Sequence, residues 1–212
     1  MKTLLLSLSA LLLASTSAIA DLDSRSGNVR SYRIKCGTSI GSGFFLQDSK
    51  TFVTARHVVE SCNAPMTVHD GYSQIGVLSP LYESQRGDLY VGAVYNLDHK
   101  VRTYSLSCQY PKFGSVVYSY GHAEGQILDT SLRGNVRTDP HHKEDHSNDI
   151  IVTNKYIPGM SGGPVTNAQG NVVGVVRWTY VHHKEISGFA SIVPVCNLLR
   201  DYNVLEHINR AP

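Results

Sequence analysis

The chain lacks most of what would tie it to a membrane, a polyanion or a metal cluster. Beyond its first 20 residues no apolar run approaches the ~20 residues that a bilayer-spanning helix needs. Net charge is +2, or +1 without Lys2, which is too balanced to argue for a nucleic-acid or anionic-membrane partner. There is no Asn-x-Ser/Thr sequon to mark N-glycosylation, and no Cys-x-x-Cys pair to suggest zinc. Internal repeats and low-complexity tracts are also missing.

What is present begins with an export signal. Lys2 precedes an apolar run from Leu4 to Ala14, and Ala18-Ile19-Ala20 supplies small residues for cleavage. This pattern predicts a secretory signal peptide over residues 1–20, removed after Ala20. The mature chain, Asp21 to Pro212, is expected to be secreted or periplasmic, and suits one domain or two small subdomains sharing a core. Cys36, Cys62, Cys108 and Cys196 all fall in this part, an even count that points to disulfides in an exported chain. Three connectivities are open. Cys36–Cys62 with Cys108–Cys196 is favoured, because the first closes one sequence block and the second ties the middle of the chain to its end. Loop-closure entropy assigns these bridges about 3.5 and about 4.6 kcal/mol.

Strand signals dominate. Residues 43–46, 51–54, 89–94, 115–120, 149–153, 171–178 and 189–193 are rich in β-branched and aromatic residues, with Gly, Asn, Asp or Pro between them. Many short, evenly spaced strands predict an all-β barrel or sandwich rather than βαβ units. Near the end, Leu198, Leu199, Tyr202, Leu205 and Ile208 recur at mostly three- and four-residue steps. That spacing predicts an amphipathic helix over about residues 197–208, packed on the barrel.

Gly159-Met160-Ser161-Gly162-Gly163 reads as G-x-S-x-G, a serine on a tight turn. An α/β-hydrolase elbow would pass from strand into helix, with its acid and histidine downstream. Here Gly162-Gly163-Pro164 is poor helix material, and the downstream candidates Asp201 and His207 sit on the predicted terminal helix. The elbow is therefore set aside. Upstream, "TFVTARHVVESC" places His57 just past a strand, and "RGDLYVGAV" places Asp88 just before one. Taken singly, such a histidine is more often a packed or surface residue, and such an acid an ordinary loop residue. Asp70 and Asp98 read as turn residues and open no apolar strand.

Together the three run in the order His57, Asp88, Ser161, with gaps of 31 and 73 residues. With "GSGFFL", "VTARHVV", "DLYVGAV", "GMSGGPV", "GNVVGVVRW" and "GFASIVP", spanning Gly41 to Pro194, the chain resembles the chymotrypsin/trypsin-fold serine proteases. The likeness is to their HtrA-like branch of trypsin-like peptidases, without a PDZ domain. The resemblance implies two antiparallel six-stranded β-barrels, at about residues 30–105 and 112–195, with the site in the cleft between them. It implies His57 as general base, Asp88 as its orienting acid, Ser161 as nucleophile, and the Gly159 and Ser161 N–H groups as oxyanion hole. It also places Lys155, Arg177, Trp178, Thr179 and Gly188 around the specificity pocket, with His182, His183 and Lys184 in a nearby loop. A basic pocket there would favour an acidic residue before the scissile bond.

The chain departs from the pattern in places. Met160 stands where trypsin-like zymogens carry an Asp, and no Ile-Val-Gly-Gly opens the mature chain, so activation by a new N-terminus is not expected. Members of the HtrA-like branch usually carry a polar residue at this place and a following peptide-binding domain. Neither is present here, so chaperone functions are not carried over. The loop "HHKEDHSND", His141 to Asp149, reads as solvated rather than metal-binding. No cofactor or metal is expected, the partner is a protein or peptide substrate, and a monomer is the default. The competing readings are a catalytically silent binding protein on the same fold and an esterase using the same triad.

Overall fold

A computed structural model describes residues 29–85, 87–97, 100–137, 149–179, 187–191 and 193–201. The expected signal peptide, the loop 141–148, His182, His183, Lys184 and positions 202–208 of the terminal helix lie outside these residues.

The first half folds from a run of hairpins. β1 (Tyr32–Cys36), β2 (Ser39–Leu46) and β3 (Thr51–Ala55) are joined by short turns. The first needs the left-handed backbone of Gly37, at φ 58°. The second is held by Asp48, whose Oδ1 accepts from the Thr51 N–H at 2.9 Å and whose Oδ2 accepts from the Thr51 hydroxyl at 2.6 Å. A single helical turn, α1 (Arg56–Val59), follows β3 directly. Next come β4 (Met66–Asp70), β5 (Ser73–Ser84), β6 (Leu89–Tyr95) and the short β7 (Thr103–Tyr104). The sheet order is β1-β4-β5-β6-β3-β2-β7, and the extra β1–β2 pairing closes six of these strands into a barrel. β5 carries Pro80 without losing its place, because the ladder to β6 shifts register between Pro80 and Tyr82.

The second half contains β8 (Val116–Gly121), β9 (Thr130–Asn135), β10 (Asp149–Val152), β11 (Pro164–Thr166), β12 (Val172–Thr179) and β13 (Ser187–Ser191). Their order is β10-β13-β12-β11-β8-β9. A bridge between Val136 and Val152 joins the two edges, so this sheet also curls into a barrel. The architecture is therefore the all-β, two-barrel arrangement expected. The terminal helix α2 spans Val193–Asp201 in the described residues, so it starts four residues earlier than its apolar spacing suggests. Pro194 is compatible with that start, because the first helical N–H groups have no intrahelical acceptor to lose.

The cores explain the packing. Adjacent residues of β2 face opposite ways, so Phe45 enters the first barrel while Phe44 faces the seam between barrels. Val172 and Val175 meet Phe44, Val53 and Leu89 across that seam. Val165, Val173 and Val176 fill the second barrel with Met160, which is fully buried. Both cysteine pairs adopt the favoured connectivity, Cys36 with Cys62 and Cys108 with Cys196. The second pair fastens α2 to the start of the second half. Among the described residues no helix is long and apolar enough to cross a membrane.

Candidate active site

His57 sits on α1, and its position follows from the abrupt end of β3. The chain turns at Ala55, and the Arg56 and His57 N–H groups point back at Asp88. Arg56 N–H donates to the Asp88 carbonyl at 3.0 Å, and His57 N–H donates to Asp88 Oδ1 at 2.9 Å. The imidazole Nδ1 lies 2.7 Å from Asp88 Oδ2. Since a carboxylate can only accept, Nδ1 carries the hydrogen and Nε2 is left as the basic nitrogen. Asp88 is a non-glycine residue at φ 49°, at the end of the turn that leads into β6, and only 7% of its surface is exposed. Burial pushes its carboxyl up, but the hydrogen bonds and charge of His57 and the Arg177 guanidinium together pull it below the usual range.

Ser161 lies in the turn before β11, and glycines let that turn press on the first barrel. Gly162, at φ 88°, leaves no room for a Cβ, which would lie 2.1 Å from the Ser42 carbonyl and 2.9 Å from Ala55 N. Gly41 makes a similar close approach, to Val58 on α1 and to the Ser161 carbonyl. The Ser161 turn is thus seated on the strand end and helix that carry His57. The Ser42 N–H clamps the joint by donating to the Ser161 carbonyl at 2.7 Å. Among the described residues no hydrogen bond joins the Ser161 hydroxyl to His57, a contact that in ligand-free sites often tightens only when substrate arrives.

Within the turn the N–H groups divide into two sets. Met160 N–H donates to Ile157, Gly162 N–H to Val176 and Gly163 N–H to Met160. Among the described residues, the Gly159 and Ser161 N–H groups have no backbone acceptor. Those are the two donors assigned to an oxyanion hole by resemblance. Gly159, at φ 92°, would drive a Cβ to 2.3 Å from the His122 carbonyl. Met160 points away from this turn into the second-barrel core, so the place of the zymogen acid is filled by an apolar side chain.

Lys155 is exposed between the buried Asn154 and Tyr156. Trp178 and Thr179 pair through the backbone of β12 with Gly188 and Ser187 of β13. The resemblance assigns Arg177 to the pocket wall, and its guanidinium contacts two carboxylates. Its Nε is 3.3 Å from Asp88 Oδ2 and its terminal nitrogen is 2.5 Å from Asp149. Asp149 opens β10, within the strand expected over residues 149–153, and its side chain is only 11% exposed. Sequence reasoning misses Ser42. The only signal in the chain is the small residue between glycines in "GSGFF". Among the described residues no group of three or more His, Cys, Asp or Glu side chains converges to hold a metal.

Known proteins share this architecture. The trypsin-like peptidase domain family matches residues 41–175, well over half the chain. Among curated proteins none matches. Among solved structures, the active form of the Rv3671c protease from M. tuberculosis superposes with a TM-score of 0.69 at 20% identity, over 93% of each chain. The serine endoprotease from Yersinia pestis gives 0.67 at 18% identity, over 84% of this chain and 65% of that one. The MamO protease domain from Magnetospirillum magneticum gives 0.67 at 17% identity, over 83% and 98%. At these identities the likeness speaks to fold, and the family match carries the rest: the chain belongs to the trypsin-like peptidase domain family and is a serine endopeptidase of chymotrypsin-like fold.

Proposed function

We propose that the chain hydrolyses peptide bonds in proteins or peptides through His57, Asp88 and Ser161, and that it works outside the cytoplasm. The observation that carries this reading is the His57–Asp88 pairing beside a serine turn that leaves two N–H groups without a backbone acceptor. His57 Nε2 takes the Ser161 hydroxyl proton as Oγ bonds to the substrate carbonyl carbon. The carbonyl electron pair moves onto oxygen, where the Gly159 and Ser161 N–H groups receive the oxyanion. As the tetrahedral species collapses, the C–N bond breaks and the imidazolium gives its proton to the leaving amine. Water then attacks the acyl-enzyme, with His57 taking its proton and returning it to Ser161 Oγ as the ester bond breaks. Throughout, Asp88 keeps the imidazole tautomer and stabilises the imidazolium, without itself becoming protonated.

A fluorophosphonate probe tests the reading. The folded protein should label at Ser161, and Ser161→Ala should abolish labelling and lower kcat by ~10⁴ or more. A well-folded protein that never labels would instead favour a silent binding role on the same fold. Hydrolysis of simple esters without cleavage of any peptide would favour the esterase.

Export is supported by the two disulfides, a bond type of oxidising compartments, and by the leader pattern over residues 1–20. Protein recovered from periplasm or medium should begin at Asp21. A preference for acidic residues before the scissile bond is supported by the exposed Lys155 between β10 and the serine turn. Equal cleavage after Glu and Ala in matched peptides would remove it.

A further inference from the structure

β12 carries one residue more than its partner at the cleft. Val176 faces Phe189 and Trp178 faces Gly188, so Arg177 is the extra residue between them. A bulge of this kind re-aims a side chain, and here it aims Arg177 at the site. The guanidinium lies between two carboxylates, one from each barrel. Its Nε is 3.3 Å from Asp88 Oδ2, the same oxygen that meets His57 Nδ1 at 2.7 Å. Its other end is 2.5 Å from Asp149 Oδ1. All three are well covered, with side-chain exposures of 26% for Arg177, 10% for Asp88 and 11% for Asp149.

We infer that Arg177 is a positioning residue for the His57–Asp88 pair, with Asp149 as its counter-anchor. Resting on the triad reading above, it adds a fixed charge whose sign matters for the chemistry. In the reaction His57 becomes an imidazolium, and Asp88 favours that state. A guanidinium against the same carboxylate opposes it, and Asp149 cancels part of the opposition. The three charges therefore set how readily His57 takes a proton, while the Arg177 contact fixes the rotation of the carboxylate. Among the described residues Arg56 also carries a charge felt by Asp88; it pairs with Glu60, just past α1, and with Glu83 of β5, and is unchanged in every variant below.

The second-order rate of fluorophosphonate labelling, followed against pH in the full chain, tests the inference without a known substrate. Arg177→Gln should move the acid limb upward by about half a pH unit or more, because the imidazolium loses a repelling charge. Asp149→Asn should move it downward, because Arg177 then acts unopposed. Arg177→Lys should restore the position of the limb while leaving a lower plateau, since a lysine keeps the charge but not the forked geometry. A purely structural role would lower the plateau and leave the limb in place in both neutral variants, and that result overturns the inference. If Arg177→Gln fails to fold, the Asp149→Asn limb decides alone. A folded wild-type protein that labels at no pH would overturn the triad reading and this inference with it. Wild-type labelling with unmoved limbs overturns the inference only.

Discussion

Ser42→Ala isolates the joint between the two barrels. The Ser42 side chain is fully buried, and its hydroxyl donates to the Gly159 carbonyl at 2.7 Å while accepting from the His122 N–H at 2.8 Å. Its own backbone contacts, to the Ser161 carbonyl and from the Thr54 hydroxyl, survive the substitution. The loss is therefore confined to two backbone groups on the second barrel. Removing one oxygen leaves too little space for a bridging water, so both groups are left unsatisfied. At about 1–3 kcal/mol for the buried His122 N–H, and less for the part-buried Gly159 carbonyl, the variant should lose ~2–4 kcal/mol. That is a large share of the ~5–15 kcal/mol that holds a domain together. Equilibrium urea unfolding with the disulfides intact, followed by far-UV circular dichroism, measures it. Fluorophosphonate labelling should also slow by about tenfold or more, because the Gly159 peptide loses the tether that holds the serine turn in place. Ser115→Ala, on an exposed turn, should stay within about 0.5 kcal/mol as a control. If Ser42→Ala matches that control in both assays, the joint does not work as described.

Three further outcomes follow from the same geometry. Gly162→Ala places a Cβ 2.1 Å from the Ser42 carbonyl at φ 88°, and should cost ~2–4 kcal/mol and most labelling; Gly114→Ala, at φ 76° with open space around it, should cost about 1 kcal/mol in the same urea titration. Because the Asp88 carboxyl is held below its ordinary value, it stabilises the fold above about pH 4 and that contribution disappears as pH falls through the folded value. Stability of Asp88→Asn should therefore depend less steeply on pH below 4 than that of the wild type, as urea midpoints from about pH 2 to 5 would show. Removing Cys108–Cys196, with its sequence separation of 88, should destabilise more than removing Cys36–Cys62, with 26, by about 1 kcal/mol of loop entropy; the two double Cys→Ala variants compared by denaturation decide it.

Legibility differs by element. The β2–β3 hairpin and β6, β8 and β12 announce themselves through β-branched and aromatic runs between turn residues, a local signal that survives packing. β1, β4 and β9 carry no such run. Polar or charged residues interrupt each of them, as with Arg33 and Lys35 in β1 and Arg133 in β9, and each becomes a strand through its partners. β5 hides behind Pro80, which only its bulge against β6 makes tolerable. At the site, the order of His57, Asp88 and Ser161 is legible because each sits beside a recognisable strand or glycine turn. Family resemblance places Arg177 at the pocket, and its contacts with Asp88 and Asp149 depend on a bulge visible only when β12 and β13 are laid side by side.

The residue order alone determined the fold class, the cysteine pairing worth favouring, and a histidine, an acid and a serine in one family's order. These follow from local backbone preference, turn chemistry and spacing, which act over a few residues at a time. The closed barrels, the Ser42 joint, the burial of Met160 and the Asp88–Arg177–Asp149 bridge were decided by tertiary structure. Each joins groups tens of residues apart, from 28 between Asp149 and Arg177 to 117 between Ser42 and Gly159. Contacts at that range depend on strand register and on how two barrels press together, and no short stretch of chain encodes either.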